Sequence, residues 1–508
     1  MTNKTKKLSF ISVILFVIGG TIGAGIFFKN KSLNAMAQGQ FGIVMATWGV
    51  AIIGMLALAI ALWEISSAQK TNKGVLEWTK LFTPKWFHKS ANNFTKWVLI
   101  PVSLFTMPIY VTNTLEDAGM TLHHNLEALA IAFAIFLWFF AINLISIKVG
   151  NMANWITTIL QVAPLIVLPI IGMIHTGQFD SDTATILNKH TEAKSGLIGQ
   201  SPWLALLGGM GAIAFAFDGF YQAAAIKNDM EKPEKNGKAL LLGVLIISVF
   251  YIFVTLGFQL SGNGSVYGLF SFLPTWTFKL MNALIAVGIM GIVNAWALAS
   301  PNQIRDMAAD EENKDIAWFE RKFKQIFKLS DSQSKKYFSF AITFIFTTFL
   351  YLTLGVIGSL LYKDGYSSAT DIYTHTGKDI PTDEYTRIYG GGALYSFADV
   401  ITNYLSLTIF VVLAITIIFG IVNRKTQKVE VMRNRLFIPA GIIFVVIFLS
   451  AFVYYMVEAI TNMTGFNGAD QTSSIINFSV LLGILAISII PALISEFTSK
   501  NKRVLTSK

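Results

Sequence analysis

The sequence predicts an all-α membrane protein with twelve transmembrane helices, of which the first and sixth are discontinuous. Three observations carry this prediction. Apolar residues make up 54% of the 508 positions, charged residues only 13%, and mean hydropathy is +0.57, where a soluble protein carries about 25% charged residues. The apolar residues fall into twelve runs near the length of about 20 residues that crosses a bilayer: 9–28, 41–63, 96–116, 127–147, 152–175, 202–226, 238–260, 279–300, 337–361, 394–421, 436–458 and 473–495. Two of these runs are interrupted by glycine. The first holds Gly19-Gly20-Thr21-Ile22-Gly23-Ala24-Gly25-Ile26-Phe27, and the sixth holds Gly208 to Phe220, including Gly208, Gly209, Gly211 and Gly219. Glycine weakens a helix and permits the backbone to unwind. In lipid an unwound backbone is tolerated only where protein or a water-filled cavity satisfies its polar groups. Interrupted segments at corresponding positions of two halves mark a binding site.

Taken in order, Lys4, Lys6 and Lys7 precede the uncharged run Leu8–Phe28 in the manner of a signal peptide. That run of 21 residues exceeds a typical signal core and lacks an Ala-x-Ala-like cleavage site, so it reads as a retained first span. Residues 239–278 carry no charge; Ser261-Gly262-Asn263-Gly264 breaks them, placing one span before the turn and a loop after it. With the N-terminus inside, Lys29, Lys31, Lys189, Lys194, Lys279, Lys363, Lys378 and Arg387 fall outside and the other 31 of 39 Lys and Arg fall inside. By the positive-inside rule both termini face the cytoplasm, in the cell membrane. The net charge of +10 then reflects topology and attraction to anionic membrane lipid. No folded basic domain is visible for nucleic acid.

In 314–328, Ile316, Phe319, Phe323, Ile326 and Phe327 recur at helical spacing opposite basic residues. This predicts an amphipathic helix on the inner membrane surface or packed on the protein's own inner face. Segment 71–95, rich in Lys and Trp, reads similarly, and 362–393 reads as an irregular outer cap.

With no cysteine, disulfides, thiolate metal sites and a cysteine nucleophile are excluded. His88, His123, His124, His175, His190 and His375 fall in loops or at span edges, and no HExxH pair occurs. No metal or cofactor is therefore expected. An intramembrane enzyme would need a catalytic set at membrane depth, and Asp218 and Asp399 are the nearest pair. A channel would need a filter-like loop or a ring of charges, and a sensor an appended soluble domain. None of these is seen, so the protein is expected not to be an enzyme.

A helix unwound within the membrane exposes N–H groups at the start of one half and C=O groups at the end of the other. The N–H end suits a carboxylate and the carbonyl end an ammonium, so a zwitterionic amino acid matches both. Gly23, Ala24 and Gly25 would let a ligand touch backbone. The alternative is close helix packing through Gly19/Gly23 and Gly20/Ala24. Asp218, the ionisable residue deep in the sixth span, has three roles open: capping or hinge support, contact with a substrate ammonium, or proton coupling. Phe215, Phe217 and Phe220 flank the break as core aromatics, one of which would close over a substrate.

Ile22-Gly23-Ala24-Gly25-Ile26-Phe27, Phe215-Ala216-Phe217-Asp218-Gly219-Phe220 and the following stretch Ile226 to Ala239 resemble motifs of the amino acid–polyamine–organocation superfamily. Glu64 and Arg305-Asp306-Met307-Ala308 also sit where that family has matching features. The resemblance implies a five-plus-five inverted repeat, with spans 1–5 in residues 1–175, spans 6–10 in 176–421, and two added spans with a cytoplasmic tail in 422–508. It implies a secondary transporter moving amino acids by alternating access, as an exchanger or proton-coupled symporter. A polyamine or other organic cation, or a sensor on the same scaffold, is the alternative. It places the substrate carboxylate at Gly23, Ala24, Gly25 and Ile26. The amino group falls near Ile22 and at Phe215, Ala216 and Asp218, with Phe217 and Gly219 in the same segment, and Phe215 is the aromatic gate. Met107, Asn294 and Tyr404 are candidates from spans 3, 8 and 10. Some proton-coupled members carry a lysine in span five where this chain has Gln161. A neutral amide takes up no proton near neutral pH, which leaves coupling to Asp218 or simple exchange. The absence of an acidic or basic pocket residue other than Asp218 favours neutral or cationic amino acids. The chain is expected to act as a monomer or weak homo-oligomer.

Overall fold

The computed structural model describes residues 7–22, 25–37, 39–71, 73–174, 196–225, 230–261, 274–308, 313–362 and 392–506. Within them the chain is helical. In chain order the helices are α1 (Phe10–Thr21), α2 (Gly25–Met36), α3 (Phe41–Ile65), α4 (Val75–Phe82), α5 (Lys85–Phe94), α6 (Ile100–Asp117), α7 (Asn125–Ile145) and α8 (Ile147–Ile174). There follow α9 (Ala205–Ala216), α10 (Gln222–Ala225), α11 (Asn236–Ser261), α12 (Thr275–Ala308), α13 (Lys314–Phe327), α14 (Asp331–Leu350) and α15 (Val356–Leu360). The last are α16 (Ala393–Thr426), α17 (Phe437–Asn462) and α18 (Gln471–Thr506).

Nine helical stretches among the described residues are long and apolar enough to cross a membrane. Two shorter apolar helices, Phe10–Thr21 and Pro202–Ala216, fall in the first and sixth expected spans, and α8 covers the fifth. The first and sixth are short because each is interrupted. α1 ends at Thr21 and α2 begins at Gly25, and α9 ends at Ala216 ahead of the turn Phe217–Tyr221. In neither case do the first glycines make the break. Gly19 and Gly20 lie inside regular α1, and Gly208, Gly209 and Gly211 inside regular α9. The α9 glycines admit bulky neighbours instead: a β-carbon would meet Tyr454 at Gly208, Leu33 and Thr47 at Gly209, and Tyr455 and Asn403 at Gly211.

The chain forms two compact units. The first comprises Met1–Asn93, Leu165–Leu273 and Asn403–Lys508. In it α9 packs on α2, α3 and α17, α11 packs on α1 and α3, and α17 packs on α3 and α18. The large apolar side chains Trp48, Phe217, Phe220, Tyr251 and Phe258 are fully buried there. His88 is buried as well and meets the Thr79 hydroxyl at 3.0 Å, although its place in a polar stretch predicted a solvated loop. Segment 71–95 folds as α4 and α5. His175, His190, His375 and nearly all of 362–393 lie outside the described residues.

The second unit comprises Phe94–Pro164 and Pro274–Thr402. Here α6 packs on α7, α12 and α14. Pro108 lies inside α6 and has no N–H to offer Leu104. The Tyr351 hydroxyl, in a π-helical turn at Tyr351–Gly355, sits 3.3 Å from the Leu104 and Phe105 carbonyls. Tyr110 donates to Asp399 at 2.8 Å, and Thr402 lies at the same distance from the Tyr110 hydroxyl, so the buried Asp399 carboxylate is held within this unit.

Candidate functional site

The two interruptions meet inside the first unit. A β-carbon added at Gly25 would lie 3.2 Å from the Ala216 Cα and from the Phe215 ring. Gly219, at φ +100°, has the left-handed backbone that glycine favours, and a β-carbon there would lie 2.5 Å from the Gly20 carbonyl oxygen. At each contact one broken span presses on the backbone of the other, tightly enough at Gly219 to exclude a side chain and at Gly25 to crowd one.

A tyrosine ties the two carbonyl ends together. The Tyr251 hydroxyl from α11 lies 3.1 Å from the Thr21 oxygen and 2.7 Å from the Ala216 oxygen. These are the last residues of α1 and α9, whose carbonyls lose helical donors where the chain unwinds. The ring is locked by edge-on contacts with Trp48 at 5.7 Å and Phe217 at 5.1 Å. Each carbonyl keeps a second lone pair for another donor. In Tyr251→Phe the packing stays and the shared donor goes. Stability is expected to fall by about 1–3 kcal/mol, with weaker substrate binding, read from thermal unfolding and equilibrium binding of the purified protein.

α2 is fixed on the other side of its break. The Asn30 side chain donates to the Ile26 carbonyl at 2.9 Å, and its oxygen accepts from the Trp48 indole at 3.1 Å and the Thr255 hydroxyl at 2.9 Å. One turn after Gly25, Lys29 is fully buried, with its ammonium 2.7 Å from the Asn403 side-chain oxygen and 4.5 Å from the centre of the Phe215 ring. By run length Lys29 belongs among the outer-loop cations, because the apolar run ends at Phe28. The helix continues to Met36, bringing a positive charge beside the break. Lys29 to Met36 has neither an apolar run nor an apolar period, so nothing in the sequence signalled that the helix continues.

Asp218 lies in the turn after α9. Its carboxylate accepts from the Tyr221 hydroxyl at 2.8 Å and from the Gly219 backbone N–H. The turn then closes through Gln222 N–H to Gly219 O at 3.0 Å and Ala223 N–H to Phe220 O at 3.1 Å. The Phe217 ring is buried against Trp48 and Tyr251, whereas Phe215 is partly exposed beside Lys29.

The structure thus brings Ile22, Gly25, Ile26, Phe215, Ala216, Phe217, Asp218 and Gly219 into one neighbourhood of the first unit. Gly23, Ala24 and the Gln161 side chain lie outside the described residues. Tyr404 belongs to the first unit, with its ring 5.9 Å from that of Tyr455. Met107 and Asn294 belong to the second. There the Asn294 amide accepts from Asn143 and donates to the Gly150 carbonyl, at 2.8 and 2.7 Å. Tyr251, Lys29 and Asn30 are the residues that sequence reasoning missed.

Many apolar spans with two interrupted helices apposed at their breaks define a multi-pass membrane protein of the transporter class. The family model described as amino acid permease matches residues 8–487, and the chain belongs to that family, within the superfamily its motifs resemble. A protein of unassigned function from Mycoplasma pneumoniae is 29% identical, over 93% of this chain and 88% of that one. The serine/threonine exchanger SteT of Bacillus subtilis is 25% identical, over 62% of this chain and 70% of its own length. Among solved structures, MhsT in complex with L-phenylalanine superposes with a TM-score of 0.51 at 13% identity, covering 88% of this chain and all of that one. That likeness shows the shared fold.

Proposed function

We propose that the protein is a secondary transporter that carries neutral amino acids across the cell membrane by alternating access, and that it works as an exchanger. The observation that carries this reading is the apposition of the two breaks at Gly25/Ala216 and Gly20/Gly219. The N-terminus of α2 offers N–H groups that have no acceptor within the helix, and a positive dipole end, to a carboxylate, and Lys29 adds a positive charge one turn away. The carbonyl ends of α1 and α9, held by Tyr251, accept an ammonium. Phe215 flanks this space as its gate. The cation of Lys29 repels a second cation, which turns the preference from basic toward neutral side chains. The similarity to a protein named as a serine/threonine exchanger supports exchange, as does the neutral amide of Gln161 at the position where some proton-coupled relatives carry lysine.

Counterflow of labelled amino acids into proteoliposomes, with and without an imposed proton gradient, tests this function. Uptake driven by internal unlabelled neutral amino acid and indifferent to the gradient is expected. Gradient-dependent accumulation would establish symport, and no uptake of any amino acid by the folded, inserted protein would remove the reading.

In this reading Asp218 holds the turn and is not the coupling group. Asp218→Asn keeps an oxygen for Tyr221 and Gly219, so transport is expected within about threefold of the parent, less than 1 kcal/mol of change, with an unchanged pH profile. Abolished counterflow would make Asp218 a substrate contact, and a flattened profile would reassign it to coupling.

A further inference from the structure

We propose that α13 is a membrane-surface helix that inserts Phe319 and Ile326 into the bilayer interface and takes anionic lipid headgroups on Lys322. The roll of this helix is set by its contacts with the second unit. Asp315 pairs with Lys96 at 2.5 Å, Glu320 accepts from Ser334 at 2.8 Å, and the Phe323 ring lies 5.8 Å from that of Phe338. Lys324 pairs with Asp331, which holds the exposed Asp331 carboxyl below the usual carboxylate range. Ile316 is fully buried. These contacts use one side of the apolar arc and leave the other uncovered. Phe319 and Ile326, two turns apart on one face, are 48% and 71% exposed. The Trp318 ring lies 5.0 Å from that of Phe319, at the edge of the patch where the helix turns toward the polar face of Gln325. Rolling the helix to bury them would break the ion pairs and withdraw Ile316.

The place of α13 along the chain and its charge identify the occupant as lipid. After Phe327 only a short connection precedes the apolar stretch Gln333–Leu360, which is long enough to cross a membrane, so α13 lies where that stretch enters the bilayer. Exposed Tyr337, Ile345, Phe346 and Phe349 continue the apolar surface along α14. Segment 314–328 has five basic residues and two acidic ones. Both acids, Asp315 and Glu320, are turned onto the protein's own side chains, which leaves the exposed Lys322, one turn from both Phe319 and Ile326, to face headgroups. Aromatic and aliphatic side chains flanked by lysine and arginine are the composition of helices that lie in the interface of anionic membranes.

The full chain has no cysteine, so one introduced at Phe319, Ile326 or Gln325 takes a single nitroxide label. Each labelled protein is reconstituted in phosphatidylcholine vesicles with and without phosphatidylglycerol, and collision with oxygen is compared with collision with a water-soluble nickel chelate. Labels at 319 and 326 are expected to be oxygen-dominated, more strongly with phosphatidylglycerol, while the label at 325 stays nickel-dominated. In the otherwise unlabelled protein, Lys322→Gln is expected to lower selectivity for spin-labelled phosphatidylglycerol by up to about fivefold, the equivalent of about 1 kcal/mol for one basic side chain at an anionic surface. Nickel access at 319 and 326 equal to that at 325 would overturn insertion. Labels immobilised and closed to both reagents would assign the face to a protein partner. Equal behaviour in both lipid compositions would overturn the anionic-headgroup assignment.

Discussion

Gly25→Leu is expected to abolish substrate binding in a protein that still folds and inserts. At Gly25 a β-carbon alone would sit 3.2 Å from the Ala216 backbone and the Phe215 ring, a spacing that demands movement of a few tenths of an ångström. The longer leucine side chain occupies the space between the breaks where the proposed carboxylate site lies, and it pushes on the gate residue. Binding is expected to weaken by at least about 100-fold, or about 2.7 kcal/mol. Gly25→Ala, which needs only a small shift, is expected to lose less than about tenfold. The helices on either side are held by contacts this change leaves alone: Asn30 to Trp48 and Thr255 on one side, Tyr251 on the other. Equilibrium binding of labelled amino acids, beside a gel-filtration profile of the same preparation, reads the outcome. Parental affinity in a monodisperse Gly25→Leu protein would remove the carboxylate site from this helix end.

Glu64→Ala is expected to give the largest loss of stability, about 3–5 kcal/mol. The Glu64 carboxylate ends α3 and is almost fully buried. One of its oxygens accepts from Arg424 at 2.5 Å and from the Asn434 backbone N–H at 2.7 Å, while the same Arg424 nitrogen donates to the Asn434 carbonyl at 2.6 Å. A single carboxylate thus joins the end of α3 to the end of α16 and the start of α17. Removing it deprives a partly buried guanidinium of its counter-charge and leaves a backbone N–H unsatisfied, which costs more than the pair itself contributes. Glu64→Gln keeps an acceptor without the charge and is expected to fall between the parent and Glu64→Ala. Melting followed by gel filtration suits the measurement, with Glu64→Ala expected to melt roughly 3–5 °C lower. A melting temperature within a degree or two of the parent would show that Arg424 and Asn434 find other partners.

The residues differ in how far the sequence discloses their roles. The two interruptions were legible to within a few residues, because glycine and aspartate inside an apolar run announce a weak helix and a costly charge wherever the chain folds. The cause was only half legible. Gly208, Gly209 and Gly211 look like the break, yet they sit in regular helix and make room for Tyr454, Leu33 and Tyr455. A glycine admits both uses, and only the neighbour decides between them. Tyr251 was illegible: in sequence it is one aromatic in an apolar helix, and its role depends on carbonyls 230 and 35 positions away. Lys29 was misread for a related reason. Its charge points to water by local rule, and its burial rests on Asn403, 374 positions distant.

By itself the sequence determined that the chain is an α-helical membrane protein, which of its spans are interrupted, and that its segment 314–328 is amphipathic. Each of these follows from hydrophobic period and run length in a solvent that tolerates few alternatives. Tertiary structure alone decided that the two breaks face each other, that a tyrosine bridges their carbonyl ends, that a lysine is buried beside them, and which half of the amphipathic face stays uncovered. Those features are contacts between distant positions, and a contact is a property of two residues that neither one carries alone.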